Sequence, residues 1–103
     1  MYGAKELPQG GIPGIAIDPS GNVYLAATKD HKIYKYSPDG GLVTSWGDNG
    51  LGNGQFSFPT DVAADPTGNI YVLDSGNSRI QKFDSEGNFL MKWVRSLNPS
   101  LSQ

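Results

Sequence analysis

The chain repeats itself with a period of 47 residues, and this constrains its fold more than any other feature. The segment Gly14 to Tyr24, Gly-Ile-Ala-Ile-Asp-Pro-Ser-Gly-Asn-Val-Tyr, returns from Asp61 to Tyr71 as Asp-Val-Ala-Ala-Asp-Pro-Thr-Gly-Asn-Ile-Tyr. Trp46 returns as Trp93, and ten of the 33 positions from Gly14 to Trp46 are identical in the second copy. The identities fall mainly on turn formers and on the tryptophan, so what repeats is a scaffold. A period near this length with several short strands per unit is the signature of stacked sheet units, none of which can bury its own faces without neighbours.

Within each copy the turn residues fall so as to predict four strands. The first strands are Gly14 to Asp18 and Asp61 to Asp65, each ending in Asp-Pro-Ser-Gly or Asp-Pro-Thr-Gly. There proline presets φ, aspartate caps the turn and glycine accepts a positive φ, so a tight hairpin follows. The second strands, Asn22 to Ala27 and Asn69 to Asp74, are apolar on both faces, as expected of a sheet sandwiched between two others. The third are Lys32 to Ser37 and Arg79 to Asp84, and the fourth Leu42 to Trp46 and Phe89 to Trp93. No helical period intervenes, and a Gly-rich connection, Gly47 to Gly54, leads back to the next first strand.

This pattern predicts an all-β fold of two four-stranded antiparallel propeller blades, with an eight-stranded sandwich as the alternative. The expected divisions are an N-terminal tail at 1–12, blade 1 at 13–47, a crossover at 48–58, blade 2 at 59–95 and a C-terminal tail at 96–103.

Composition narrows the class. With 37% hydrophobic and 17% charged residues the chain lies far from the disordered regime, and no window has the roughly 18 to 20 apolar residues of a membrane span. The N-terminal residues lack an apolar stretch after a basic region, so a cytoplasmic location is the default expectation. There are no cysteines, which excludes disulfides and thiolate metal sites. A net charge of −2 argues against nucleic acid and anionic lipid as partners.

Asp65 to Asp84, with Gly54-Gln55-Phe56 and Pro59 before it, resembles an NHL repeat. Copy one departs from that pattern, with Ala27 in place of Asp74 and Lys29-Asp30-His31 in place of Gly76-Asn77-Ser78. The resemblance implies four-stranded blades, usually six to a ring. Two blades cannot close a ring, so residues such as Val23, Leu25, Ile70, Val72, Tyr24, Tyr36, Tyr71 and Phe83 are expected at open ends that need a cover. Three chains would supply six blades, and the expectation is therefore a homotrimer, with a tetramer second and a fragment of a longer chain third.

In a propeller the loops between second and third strands share a face with the crossovers. That loop face would carry Lys29, Asp30, His31, Asn77 and Ser78, together with Asp48, Asn49 and Asn53 of the crossover; Asp61 would open its strand beside the channel. These nine residues are the expected ligand-binding set. Neither a metal nor a cofactor is expected: His31 is the only histidine, Asp48, Asn49 and Asn53 do not match an EF-hand, and the glycines of the crossover precede a strand instead of a helix. Asp18 and Asp65 sit in turns that explain them fully. The expected function is therefore a non-catalytic scaffold binding a protein or another ligand on the loop face. The alternatives are a metal-dependent lyase- or hydrolase-like enzyme in the central channel, single-stranded RNA binding, and a designed building block whose only activity is assembly. Against RNA stand eight basic and ten acidic residues, with the aromatics mainly in strands.

Overall fold

A computed structural model describes residues 7–95 of the chain. The expected C-terminal tail at 96–103 and half of the expected N-terminal tail lie outside the described residues. Eight strands form two four-stranded antiparallel sheets, each in sequence order. The first contains β1 (Gly14–Ile17), β2 (Val23–Ala27), β3 (Lys32–Tyr36) and β4 (Leu42–Trp46). The second contains β5 (Pro59–Ala64), β6 (Ile70–Asp74), β7 (Arg79–Phe83) and β8 (Phe89–Val94). The predicted strands agree with these to within two residues. Sequence reasoning missed two single 3-10 turns, Thr28–Asp30 and Ser75–Asn77, which are too short to show a period.

The hairpins form as the turn chemistry requires. Asp18 Oδ1 accepts the backbone N–H groups of Ser20 and Asn22, each at 3.0 Å, while Gly21 takes φ 88°. Asp65 Oδ1 does the same for Thr67 and Asn69 at 3.0 and 2.9 Å, with Gly68 at φ 88°. The other carboxylate oxygen of each aspartate accepts from a β-strand tyrosine: Tyr24 Oη to Asp18 at 2.8 Å and Tyr71 Oη to Asp65 at 3.0 Å. The turn is thereby tied to the sheet that it begins.

The two sheets pack face to face, and the core lies between them. Tyr24, Ala26 and Ile33 of the first sheet meet Phe56, Val62, Ile70, Val72 and Phe83 of the crossover and second sheet, all buried. Trp46 packs against this cluster and meets Phe83 at 5.5 Å between ring centroids. This corrects one expectation: Ile70, Val72, Tyr24 and Phe83 lie at the joint within the chain and not on its open ends. The second strands are apolar on both faces, and the sequence cannot tell which face meets the neighbour in the same chain. On the second sheet Leu73, Ile80 and Trp93 are exposed instead, as are Leu90, Met91 and Val94 of its last strand.

Candidate functional site

The crossover 47–58 runs between the two 3-10 turns and is braced by both sheets. Its anchor in the second sheet is a buried ion pair in which Arg79 Nε donates to Asp74 Oδ2 at 2.7 Å. The remaining guanidinium N–H groups donate to the carbonyls of Leu51, Gly52 and Gln55, each at 2.9 Å. Asp74 Oδ1 accepts the Ser57 N–H at 2.7 Å, and Gln81, also fully buried, donates to the Gln55 carbonyl and accepts from Gly54 N–H. A planar five-donor guanidinium suits this task, because it can pair with a carboxylate and hold several carbonyls at once. Copy one lacks the pair. Ala27 stands where Asp74 does, and Lys32, at the position of Arg79, donates to a single carbonyl, that of Gly47, at 2.9 Å.

The expected loop-face residues differ in their surroundings. Asn77 is structural: its Nδ2 donates to the Gly50 carbonyl at 2.9 Å and to Asp74 at 3.0 Å. Asp30 accepts from Tyr34 Oη at 2.9 Å, and Lys29 packs along Gly10. Asp48, Asn49, Asn53 and Ser78 are exposed; Asp48 caps the Asn49 N–H, and Asn53 accepts from Lys92 Nζ at 3.0 Å. Asp61 stands apart on β5, where it borders an apolar hollow with Leu73 and Ile80. Among the described residues no three His, Asp or Glu side chains converge as metal ligands.

His31 has a partner that the sequence did not reveal. Its Nδ1 accepts the backbone N–H of Phe58 at 3.0 Å, and the two rings meet edge to face at 4.6 Å between centroids. Neutral His31 therefore carries its proton on Nε2. Among the described residues three other than glycine hold a left-handed backbone, and all three lie on this face: His31 (φ 55°), Phe58 (φ 52°) and Ser78 (φ 53°). His31 and Ser78 are repeat equivalents that close the two 3-10 turns. The repeat equivalent of Phe58 is Gly11, at φ 90°. The 47-residue offset thus marked position 58 as one suited to glycine, a signal available in the sequence.

Residues 56–83 match the family profile of the NHL repeat. That segment carries one NHL-type repeat. The match lies within the second copy and its approach, and the first copy relates to it through the 47-residue offset. No curated protein matches the chain in sequence.

Solved structures share the fold. A candidate exported protein of Bacteroides fragilis superposes with a TM-score of 0.69 at 16% identity, covering 90% of this chain and 27% of that one. An inactivated virginiamycin B lyase of Staphylococcus aureus, solved with quinupristin, gives 0.67 at 14%, covering 93% and 30%. Regucalcin of Agrobacterium tumefaciens, described as a calcium-binding protein, gives 0.59 at 19%, covering 81% and 30%. The fold is therefore of β-propeller type, and the chain spans less than a third of the length of each of these proteins.

The comparisons correct the expectation of a non-enzyme. Virginiamycin B lyase is an enzyme built on this fold, so the architecture gives no ground for excluding catalysis. Among the described residues no helix is long and apolar enough to cross a membrane. The expected cytoplasmic location gains no support from a neighbour described as exported.

Proposed function

We propose that this NHL chain is a ligand-binding segment of a β-propeller, with its recognition surface on the loop face at Phe58 and His31. The backbone of Phe58 carries this reading. A left-handed conformation costs a non-glycine residue about 1 kcal/mol or more, and glycine occupies the equivalent place in copy one. Core packing does not account for the phenyl ring, which is 52% exposed. Strained, exposed aromatic positions on a rigid frame are where binding surfaces concentrate.

The site offers an aromatic edge and an Nε2–H donor, with Asp48, Asn49 and Asn53 on the same crossover and the Arg79–Asp74 anchor holding that crossover still. It suits a ligand with a planar apolar part and polar substituents. The reading covers a substrate as well as a ligand that is only held.

The test is amide NMR on labelled protein titrated with a library of small aromatic and heteroaromatic compounds. Binding compounds are expected to shift the amides of residues 28–31 and 57–60, and Phe58→Gly is expected to abolish those shifts. Shifts confined to the opposite face, near Gly21, Gly40, Gly68 and Gly87, or shifts unchanged in Phe58→Gly, would overturn the reading.

A further inference from the structure

We propose that the open face of the second blade receives the open face of the first blade of another copy, so that copies of this chain join head to tail. The joint inside the chain is the template. There Ala26, Ile33 and Trp46 of blade 1 pack toward Val62, Val72 and Phe83 of blade 2. Forty-seven residues on from the first set stand Leu73, Ile80 and Trp93, on the opposite face of the second sheet. Register places them side by side, Leu73 opposite Ile80 and Ile80 opposite Trp93. Forty-seven residues before the second set stand Ile15, Leu25 and Tyr36, on the opposite face of the first sheet. Both halves of the internal joint are therefore present a second time, the one on the second sheet open and the one on the first sheet open at Ile15.

Their exposure matches this reading. Ile33 is fully buried at the internal joint, whereas its equivalent Ile80 is 39% exposed and Trp93 is 45% exposed. Ile15 is 62% exposed, against 4% for its equivalent Val62. Leu25 and Tyr36 are already buried, so the free part of the blade 1 face centres on Ile15 and Ile17. A hollow of about 200 Å³, bounded by Asp61, Tyr71, Leu73 and Ile80 and almost wholly apolar, opens where the neighbouring blade would sit.

The polar and close contacts of the joint repeat as well. Lys35 Nζ lies 5.5 Å from the Tyr24 ring centroid and donates across the internal joint to the Ser85 carbonyl at 2.7 Å. Lys82 lies at the same 5.5 Å from Tyr71, and the counterpart of Ser85 is Pro38 in blade 1 of the neighbouring chain. Trp46 rests on Gly87, where a Cβ would come within 2.7 Å of the indole and φ is 90°. Trp93 and Gly40 (φ 93°) are the corresponding pair, and position 40 is again glycine. At the closest approach of the innermost strands Gly14 faces Asp61, and between copies Asp61 would face Gly14, so each joint retains one residue without a side chain. Such an interface is heterologous and closes when rotation completes the ring. A two-blade chain aligned to 27–34% of the length of its structural neighbours corresponds to rings of about six to seven blades, of which three copies build six.

The test is solution mass by light scattering on the 103-residue chain. The expected mass is three times the 11.0 kDa of one chain. Ile80→Glu and Ile15→Glu, which block opposite faces, are each expected to lose the trimer while keeping the strand signal in circular dichroism. Mixed in equal amounts they are expected to form a one-to-one dimer through the two unblocked faces, which a self-complementary interface would not give. Lys82→Glu serves as a second blocking variant if Ile80→Glu does not fold. A wild-type monomer at all concentrations would leave these faces to further blades of a longer chain and overturn the proposal. A trimer that persists in both blocked variants would overturn it equally. The amide shifts expected at His31 and Phe58 do not depend on mass, so this proposal and the loop-face reading fail separately.

Discussion

Arg79 and Asp74 form an ion pair at 2.7 Å whose side chains are 5% and 0% exposed, and through it β6 and β7 hold a connection that neither strand touches by backbone pairing. Breaking such a pair from one side leaves an uncompensated buried charge, at about 3–5 kcal/mol. Arg79→Ala also strips donors from the Leu51, Gly52 and Gln55 carbonyls. The expected outcome is a loss of that size in urea unfolding, or failure to fold. A loss under about 1 kcal/mol would show that the crossover is held by other contacts.

Acid should weaken the fold in a defined window. The Thr67 hydroxyl, with backbone N–H groups and Tyr71, holds Asp65 down at about 2, against an ordinary 3.8. At Asp18 burial acts to raise the value, but bonds from Asn22, Tyr24 and Ser20 outweigh it; Asp84 is lowered chiefly by Asn88. Because the folded values lie below the unfolded ones, these groups stabilise the fold above about pH 4, and the contribution is lost as pH falls toward 2. Melting temperature is therefore expected to be flat from neutrality to about pH 4 and to drop below it, less steeply in Asp65→Asn. A flat profile to pH 2 would remove the turn aspartates from the stability of this chain.

Phe58→Gly should not harm stability. Relief of the left-handed strain at φ 52° offsets the greater freedom of glycine in the unfolded chain, and the net change is expected within about 1 kcal/mol. The contrast is Gly87→Ala, where a Cβ meets both a positive φ and the Trp46 ring, with an expected cost of about 2 kcal/mol or more. Parallel thermal melts decide both. A large loss in Phe58→Gly would mean that the ring itself packs the fold.

Ile33 and Ile80 occupy one repeat position in two environments. In dilute, monomeric protein Ile33→Ala is expected to cost about 2–5 kcal/mol and Ile80→Ala about 1 kcal/mol or less. Repeating the unfolding at rising protein concentration should increase the Ile80→Ala cost if copies associate through that face.

The sequence by itself determined the strands, the turns and the repeat, because each rests on residues within a few positions of one another. Asp-Pro-x-Gly closes a hairpin through bonds spanning four residues, and alternation along a strand needs no distant partner. Copy one's departure from the repeat pattern was legible in the same way, from Ala27 in place of Asp74. Only the tertiary structure decided which face of each sheet is buried, since second strands apolar on both sides, such as Ile70 to Leu73, look alike whether the neighbour lies before or behind. Only packing, too, could bring His31 to Phe58 across 27 residues, and carry Arg79 back to three carbonyls of the crossover. Backbone hydrogen bonding is local in a hairpin, but burial is a property of two surfaces meeting, and the repeat alone does not say where they meet.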